Sequence, residues 1–83
     1  MALYLMDYDL RKNRNYKPLY DELASFSAVR ILESTWCFNR INTSAANLRD
    51  HFKAFIDSDD GILIAEINDW ATYGAEKTPK DLR

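Results

Sequence analysis

The sequence predicts one small α+β domain, and three observations carry this prediction. In two stretches of the sequence, large apolar side chains occupy every second position, as they do in strands. Two other stretches repeat apolar residues at helical spacing. A run dense in β-branched and aromatic residues lies in the middle of the chain. The 83 residues are 47% hydrophobic and 29% charged, which excludes disordered and fibrous chains. A chain this short forms a core of marginal stability, so we expect a partner subunit.

The first strand is predicted at residues 3–10, where side chains alternate between two faces. One face is large and apolar and is expected to join the core: Ala2, Tyr4, Met6 and Tyr8. The other face begins apolar and ends in carboxylates: Leu3, Leu5, Asp7 and Asp9. We interpret this second face as a site or an interface.

The first helix follows a polar loop predicted at residues 11–15. Its apolar stripe recurs at positions i, i+3, i+4 and i+7, which are Tyr16, Leu19, Tyr20 and Leu23. Asn15 is the expected N-cap, and Pro18 is tolerated in a first helical turn. The helix is expected to end near residues 25–27.

Two strands and a second helix follow. Residues 29–41 are too long for one ordinary strand in so small a domain, so we divide them into two strands that turn near Glu33 and Ser34. The hydroxyls of Thr43 and Ser44 suit the start of a helix. Its apolar stripe is Ala45, Leu48, Phe52, Phe55 and Ile56.

The last strand is predicted at residues 62–67, after an acidic turn at residues 57–61 that ends the second helix. Its two faces are Leu63, Ala65 and Ile67 on one side and Ile62, Ile64 and Glu66 on the other. We expect the second set to share the face that carries Asp7 and Asp9.

The order of these elements predicts the ferredoxin-like βαββαβ fold. Right-handed crossovers then give a four-stranded antiparallel sheet with both helices on one face, the first and third strands at the centre, and the last strand beside the first. The opposite face stays open, which favours a homodimer through it. We assign the domain to residues 1–70 and a C-terminal tail to residues 71–83. The tail is expected to be partly flexible or to pack on a partner subunit, and an extra C-terminal strand is an option.

Charge and targeting signals restrict the function classes. Eleven basic and thirteen acidic residues give a net charge of −2, so the chain as a whole is not a basic nucleic-acid binder. The basic residues near the first helix are nevertheless separate from the acidic turn, which permits a local basic site. No apolar run approaches the roughly 20 residues that span a membrane. With no leader pattern and one cysteine, Cys37, we expect a cytoplasmic protein that has no contact with a membrane.

Several segments resemble the small CRISPR-associated endonucleases, the second universal protein of CRISPR systems. These segments are Tyr8-Asp9-Leu10, residues 30–36, the Thr43-Ser44 helix start and the acidic turn before the last strand. The likeness extends to bacterial relatives such as the virulence-associated protein D toxins, and it covers the chain to about residue 67. The family has a glutamine where this chain has Leu32.

The resemblance implies a ferredoxin-like homodimer in which one aspartate from each subunit flanks a divalent metal and supports phosphodiester cleavage. That aspartate corresponds to Asp9, and Tyr8 corresponds to the tyrosine before it, so both are expected catalytic residues. The other matching positions are Arg30, Ser34 and Trp36.

Asp7 and Asp9 are the expected metal ligands. Because they are two residues apart on a strand, their side chains leave the same face about 7 Å apart. Two carboxylates per chain, doubled by a dimer, suit Mg²⁺, which keeps several waters. The alternative is that both aspartates are solvated at a strand end or cap the loop that follows.

Nucleic-acid binding is expected from Arg11, Arg14 and Arg30, because guanidinium groups grip phosphates, and from stacking on Trp36. The alternative is that the basic loop pairs with the chain's own acids and that Trp36 belongs to the core.

The sequence thus predicts a homodimeric protein that processes nucleic acid, as a Mg²⁺-dependent endonuclease acting on RNA or DNA. Two alternatives stay open. One is a dimer without catalytic activity that serves as a platform for a larger partner protein or a nucleic acid. The other is a toxin-like ribonuclease held by an antitoxin.

Overall fold

The computed structural model describes residues 1–12 and 14–82 and contains the predicted elements in the predicted order. Position 13 of the predicted loop and position 83 of the tail lie outside the described residues. The elements are β1 (Ala2–Asp9), α1 (Lys17–Ser25), β2 (Val29–Leu32), β3 (Thr35–Arg40), α2 (Ala45–Phe52) with a 3₁₀ turn (Lys53–Phe55), β4 (Gly61–Ile67) and a second 3₁₀ turn (Pro79–Asp81). Among these residues no helix is long and apolar enough to cross a membrane.

The four strands form one antiparallel sheet in the order β2-β3-β1-β4. This order confirms the prediction that the first and third strands are central and that the last strand lies beside the first. The arrangement is compatible with the ferredoxin-like fold. The predicted turn at Glu33 and Ser34, which no glycine marks, is also where β2 ends and β3 begins.

The core lies between the sheet and the two helices, and the inward face of β1 is at its centre. As predicted, Tyr4, Met6 and Tyr8 of β1 are buried. The other buried members of this cluster are Leu10, Leu19, Leu23, Phe38, Leu48 and Phe52. Most of the stripes predicted for the two helices therefore face the sheet, and Tyr20, Phe55 and Ile56 pack partly buried against the core. Tyr16, which was predicted in the first stripe, is instead 38% exposed.

The two helices begin differently. At α2, Ser44 is the N-cap, and its hydroxyl accepts a hydrogen bond from the Asn47 amide at 3.1 Å, as expected of a serine there. At α1, the N-cap is Tyr16 and makes no side-chain capping bond, so the prediction of Asn15 is wrong by one residue. Pro18 lies in the first turn of α1, where its missing amide hydrogen costs nothing.

The predicted position of Glu66 is wrong. In the β1–β4 ladder, Glu66 pairs with Tyr4 and Leu63 pairs with Asp7. Directly paired residues share a face, so Glu66, like Ile62 and Ile64, lies on the helix side of the sheet. At the start of β4, an Asp60 carboxylate oxygen accepts the backbone N–H of Arg11 at 2.8 Å, which attaches the acidic turn to the end of β1.

The C-terminal segment packs on the half of the open face that belongs to β2 and β3. The Glu76 amide donates to the Ile31 carbonyl at 2.9 Å, and Thr78 and Asp81 form a reciprocal cap on the 3₁₀ turn. Beneath it, Cys37 is fully buried, and burial with nearby Asp81 raises its pKa to about 11. The described part of the tail, to residue 82, forms this turn and no further strand.

The early part of the tail contributes less packing within the chain, since the Tyr73 side chain is fully exposed. What stays open on the sheet is the part made by β1 and β4. We call it the β1/β4 face; its apolar members are Leu3, Leu5, Leu63, Ala65 and Ile67.

Core packing of α1 can be tested with a matched pair of leucines. Leu23 is fully buried, whereas Leu32 at the end of β2 is 47% exposed. Leu23→Ala is expected to lower the free energy of unfolding by about 2–5 kcal/mol, because it leaves a cavity under the sheet. Leu32→Ala should lower it by less than about 1 kcal/mol. Urea denaturation measures both values, and equal losses would contradict this description of the core.

Candidate functional site

An open cleft of about 420 Å³ lies at the carboxyl end of β1. We call it the tyrosine cleft. Its walls come from the end of β1, from the start of α1 and from the β2–β3 hairpin, and its lining residues are Tyr8, Asp9, Leu10, Arg14, Tyr16, Tyr20, Arg30, Glu33 and Ser34. Four positions that carry the family resemblance, in segments distant in the sequence, therefore meet around one cavity.

Arg30 is a fixed cation in the wall of the cleft. Its guanidinium donates from Nε and Nη2 to the Glu33 carbonyl and from Nη2 to the Tyr20 hydroxyl, at 3.1 Å. It also lies 5.3 Å from the Tyr20 ring centre and 5.7 Å from that of Trp36, which adds cation–π attraction. Arg30 forms no ion pair with a carboxylate in the described residues, so its position depends on neutral oxygens and aromatic rings.

The Tyr8 phenol completes this network. Its oxygen lies 2.6 Å from the Tyr20 hydroxyl and 3.3 Å from the Glu33 carbonyl oxygen, to which it donates. Burial, and after it the hydrogen bond to Tyr20, raise the pKa of Tyr8 to about 12, against opposing effects of Trp36 and Arg30. Near neutral pH Tyr8 is therefore a proton donor.

Three aromatic rings form a column along one wall of the cleft. Tyr16 stacks on Tyr20 at 5.5 Å with planes 29° apart, and Tyr20 lies 5.4 Å from Trp36. The Trp36 indole nitrogen is buried and meets no hydrogen-bond partner in the described residues, although the indole is close enough to Tyr8 to lower its pKa. Trp36 is thus the inner end of the column and Tyr16, at 38% exposed, the outer end.

Asp7 attaches the β2–β3 turn to the sheet. Its Oδ1 accepts hydrogen bonds from the Ser34 hydroxyl at 2.7 Å, the Thr35 hydroxyl at 3.4 Å and the Tyr8 amide at 3.0 Å. All three bonds use Oδ1 of Asp7, so the hydroxyls of the turn do not occupy Oδ2.

Asp9 lies between the tyrosine cleft and a second, shallower depression of about 220 Å³ on the β1/β4 face. Its side chain is 70% exposed and pairs with Arg11 Nε at 3.1 Å. Arg11 also donates through Nη1 to the Asp59 carbonyl at 3.2 Å. Gly61 leaves room for this guanidinium, since a Cβ there would lie 2.9 Å from Arg11 Nη2.

The basic loop is therefore paired with acids of the same chain at two positions. Arg11 contacts Asp9, and Lys12 lies 3.4 Å from Asp59, which is the alternative that the sequence left open for this loop. Arg14 differs: its Nε donates to the Arg11 carbonyl, and its side chain reaches the tyrosine cleft.

Asp7 and Asp9 offer carboxylate oxygens, which are the donor type that hard divalent cations take. Within residues 1–12 and 14–82, no three or more His, Cys, Asp or Glu side chains form a group that could hold a metal ion. Mg²⁺, however, commonly binds through one or two carboxylates together with waters and substrate phosphates. Asp9 has the exposure that such binding requires, and Asp7 adds an oxygen on the same face.

Of the predicted site residues, Tyr8, Asp9, Arg14 and Arg30 line the cleft, Trp36 lies behind its wall, and Asp7 and Arg11 lie on the other side of Asp9. The sequence interpretation missed Tyr16 and Tyr20, which it treated only as an apolar stripe. Their i, i+4 spacing is the one available signal in the sequence, and ordinary core residues of a helix have the same spacing.

No protein-family model matches the chain, and no solved structure matches it. The resemblance to the CRISPR-associated endonucleases thus remains a prediction that rests on the residues named above.

The Tyr8 network can be tested by Tyr8→Phe, which removes the phenol oxygen and keeps the ring. At about pH 8 the variant should lose about 1 kcal/mol of unfolding free energy, whereas Tyr73→Phe, at a fully exposed tyrosine, should lose none. The folded-state pKa of Tyr8 lies above its ordinary value of 10.0, so its contribution is complete below about pH 10 and is lost as the pH rises toward 12. Urea titrations at several pH values should show the difference between wild type and Tyr8→Phe narrowing above about pH 10; a constant difference would contradict the assignment.

Proposed function

We propose that two copies of this chain form a homodimer that binds RNA or DNA and cleaves its phosphodiester backbone with a divalent cation, Mg²⁺, held at Asp9. The observation that supports this most is the meeting of Tyr8, Asp9, Arg30 and Ser34 at one open cleft. These are positions that match the endonuclease family. The cleft volume falls in the range of about 300–1,000 Å³ that is usual for small-ligand sites.

In this proposal Asp9 holds the cation, with Asp7 beside it on the same face of β1 and water in the remaining positions. The cation, when bound, stabilises negative charge that develops on the phosphate. Asp9 must then exchange its contact with Arg11, and Arg11 is close enough to face the substrate backbone instead. Tyr8 stays protonated and positions the hairpin that carries Ser34.

Phosphate binding in this proposal comes from arginines that no carboxylate neutralises. Arg14 and Arg30 both line the cleft and form no ion pair within the described residues. Phosphate contacts carry little sequence information, so the protein should act on nucleic acid with weak sequence preference.

The homodimer is proposed to form through the β1/β4 face. The tail covers the other half of the sheet, whereas Leu63 on this half is 56% exposed. A two-fold axis through this face that runs parallel to β1 would bring the two copies of Asp9 to the same end of the assembly and would double its carboxylates.

Cleavage can be tested with a matched pair of aspartates. Asp9→Asn should lower the rate of Mg²⁺-dependent cleavage about a hundredfold or more, because the cation loses its charged ligand. Asp50→Asn is the control, since the Asp50 side chain is 60% exposed and pairs with Arg49 Nε at 3.0 Å, much as Asp9 pairs with Arg11. Purified protein is incubated with labelled single-stranded RNA, single-stranded DNA and duplex DNA, with Mg²⁺ or with EDTA.

Cleavage that persists in EDTA, or that Asp9→Asn leaves unchanged, would contradict the proposed role of Asp9. If wild-type protein cleaves none of these substrates in Mg²⁺ or Mn²⁺, the endonuclease proposal fails.

The dimer can be tested by placing a charge on the proposed interface. Leu63→Glu should elute as a monomer, because the carboxylate would be buried against an apolar face. Ile41→Glu should remain a dimer, since Ile41 lies outside the sheet and is 59% exposed. Size-exclusion chromatography with light scattering measures the mass of each; a monomeric wild type or a dimeric Leu63→Glu would contradict this interface.

A second candidate function is a nucleic-acid or protein platform without catalytic activity. It is favoured by the bonds that the two carboxylates already make, Asp7 with Ser34 and Thr35 and Asp9 with Arg11. Binding of nucleic acid or of a larger partner protein by the dimer, with no cleavage in any metal, would support it.

A further inference from the structure

The aromatic column of the tyrosine cleft ends at Tyr16, whose side chain is partly exposed and stacks, among the described residues, only on Tyr20. Tyr20 lies between Tyr16 and Trp36, at 5.5 and 5.4 Å. Tyr16 has Tyr20 on one side, touches Tyr8 only at a steep angle of 59°, and remains 38% exposed. A planar ligand placed on Tyr16 would extend the column by one member.

The middle ring of the column, Tyr20, is held by hydrogen bonds, which limits its loss of conformational entropy when a ring is added to the column. The Tyr20 hydroxyl is hydrogen-bonded to both Tyr8 and Arg30, and α1 begins directly after Tyr16. Aromatic platforms of this kind bind nucleobases in proteins that recognise single strands, because every base has a π face.

Charge at the cleft is mixed. Arg14 and Arg30 line it together with Asp9 and Glu33, so a polyanion gains little from the net charge of the cleft. One phosphate beside the two arginines, with its base on Tyr16, fits this distribution better than a stretch of backbone alone. The carboxylates then face the sugar and the edges of the base, where they act as hydrogen-bond acceptors.

We propose that the tyrosine cleft is a subsite for one unpaired nucleotide of a single-stranded nucleic acid, with its base stacked on Tyr16 and its phosphate facing Arg14 and Arg30. The choice of ligand class rests on the function proposed above. Paired bases in a duplex have both faces covered, so they cannot enter the column without being flipped out. The site therefore selects single strands.

The subsite also places the strand relative to Asp9. Asp9 lines both the tyrosine cleft and the neighbouring depression on the β1/β4 face. A strand that leaves the cleft toward that face passes over this carboxylate, so the phosphate next to the bound nucleotide is the one that meets Asp9.

Binding without catalysis tests the subsite. Fluorescein-labelled uridine and thymidine oligonucleotides of about eight residues, and a labelled duplex, are titrated with protein in EDTA, and fluorescence polarisation is recorded. Wild type should bind the single strands more tightly than the duplex. Tyr16→Ala should weaken single-strand binding about ten- to a hundredfold, and Tyr16→Phe should retain it because it keeps the π face.

Two controls separate stacking from other effects. Tyr73→Ala removes a fully exposed tyrosine outside the cleft and should bind like wild type. Arg14→Gln should lower the slope of log affinity against log salt concentration by about 0.7, the loss of one phosphate contact. Circular dichroism verifies folding; if Tyr16→Ala is unfolded, Tyr16→Leu keeps apolar packing without a π face and should show the same loss.

The outcomes distinguish this subsite from the endonuclease proposal. Equal binding of single strand and duplex, or unchanged binding by Tyr16→Ala, would overturn the subsite even if Asp9-dependent cleavage is found. Tyr16-dependent binding of single strands without cleavage in any metal would support the subsite and reject the endonuclease.

Discussion

The Glu33 carbonyl oxygen is the point on which the organisation of the site depends. It accepts hydrogen bonds from the Arg30 guanidinium and from the Tyr8 phenol, and these two side chains are joined again through the Tyr20 hydroxyl. The closed network connects β1, α1 and the β2–β3 hairpin. Because the three side chains share acceptors and donors, the loss of one member would leave the others with fewer partners. The hairpin position in turn places Ser34 on Asp7, so the network also orients a carboxylate on the opposite face.

The central strand β1 lets so short a chain combine a core with a site. Its inward residues, Tyr4 and Met6, are fully buried, and its outward residues end in Asp7 and Asp9. Tyr8 lies between the two aspartates but points to the helices, where it enters the Glu33 network. A shift of the β1 register by one residue would exchange core and carboxylates, so the packing that stabilises the fold also fixes the geometry of the site.

The elements, their order and the buried face of β1 could be predicted from the sequence, because periodicity reports burial directly. The face of Glu66 could not, since both alternating sets of β4 contain large apolar residues and the pattern does not show which set packs on the helices. The tyrosine cleft also could not be predicted from the sequence. Its central acceptor is a backbone carbonyl, which has no sequence signature, and Tyr16 and Tyr20 have the spacing of ordinary core residues. The resemblance to the endonuclease family indicated Arg30 and Asp9, but it did not indicate the column of aromatic rings.

The contact of Arg11 with Asp9 is an ion pair between two exposed side chains. An exposed ion pair contributes little to stability, about 0–1 kcal/mol, so it is weak enough to be exchanged for a cation. The Arg11 backbone is fixed by Asp60, and its Nη1 group by the Asp59 carbonyl. Arg11 would therefore stay beside Asp9 in the proposed function. A cation at Asp9 would compete with this guanidinium, which would then be available to a phosphate.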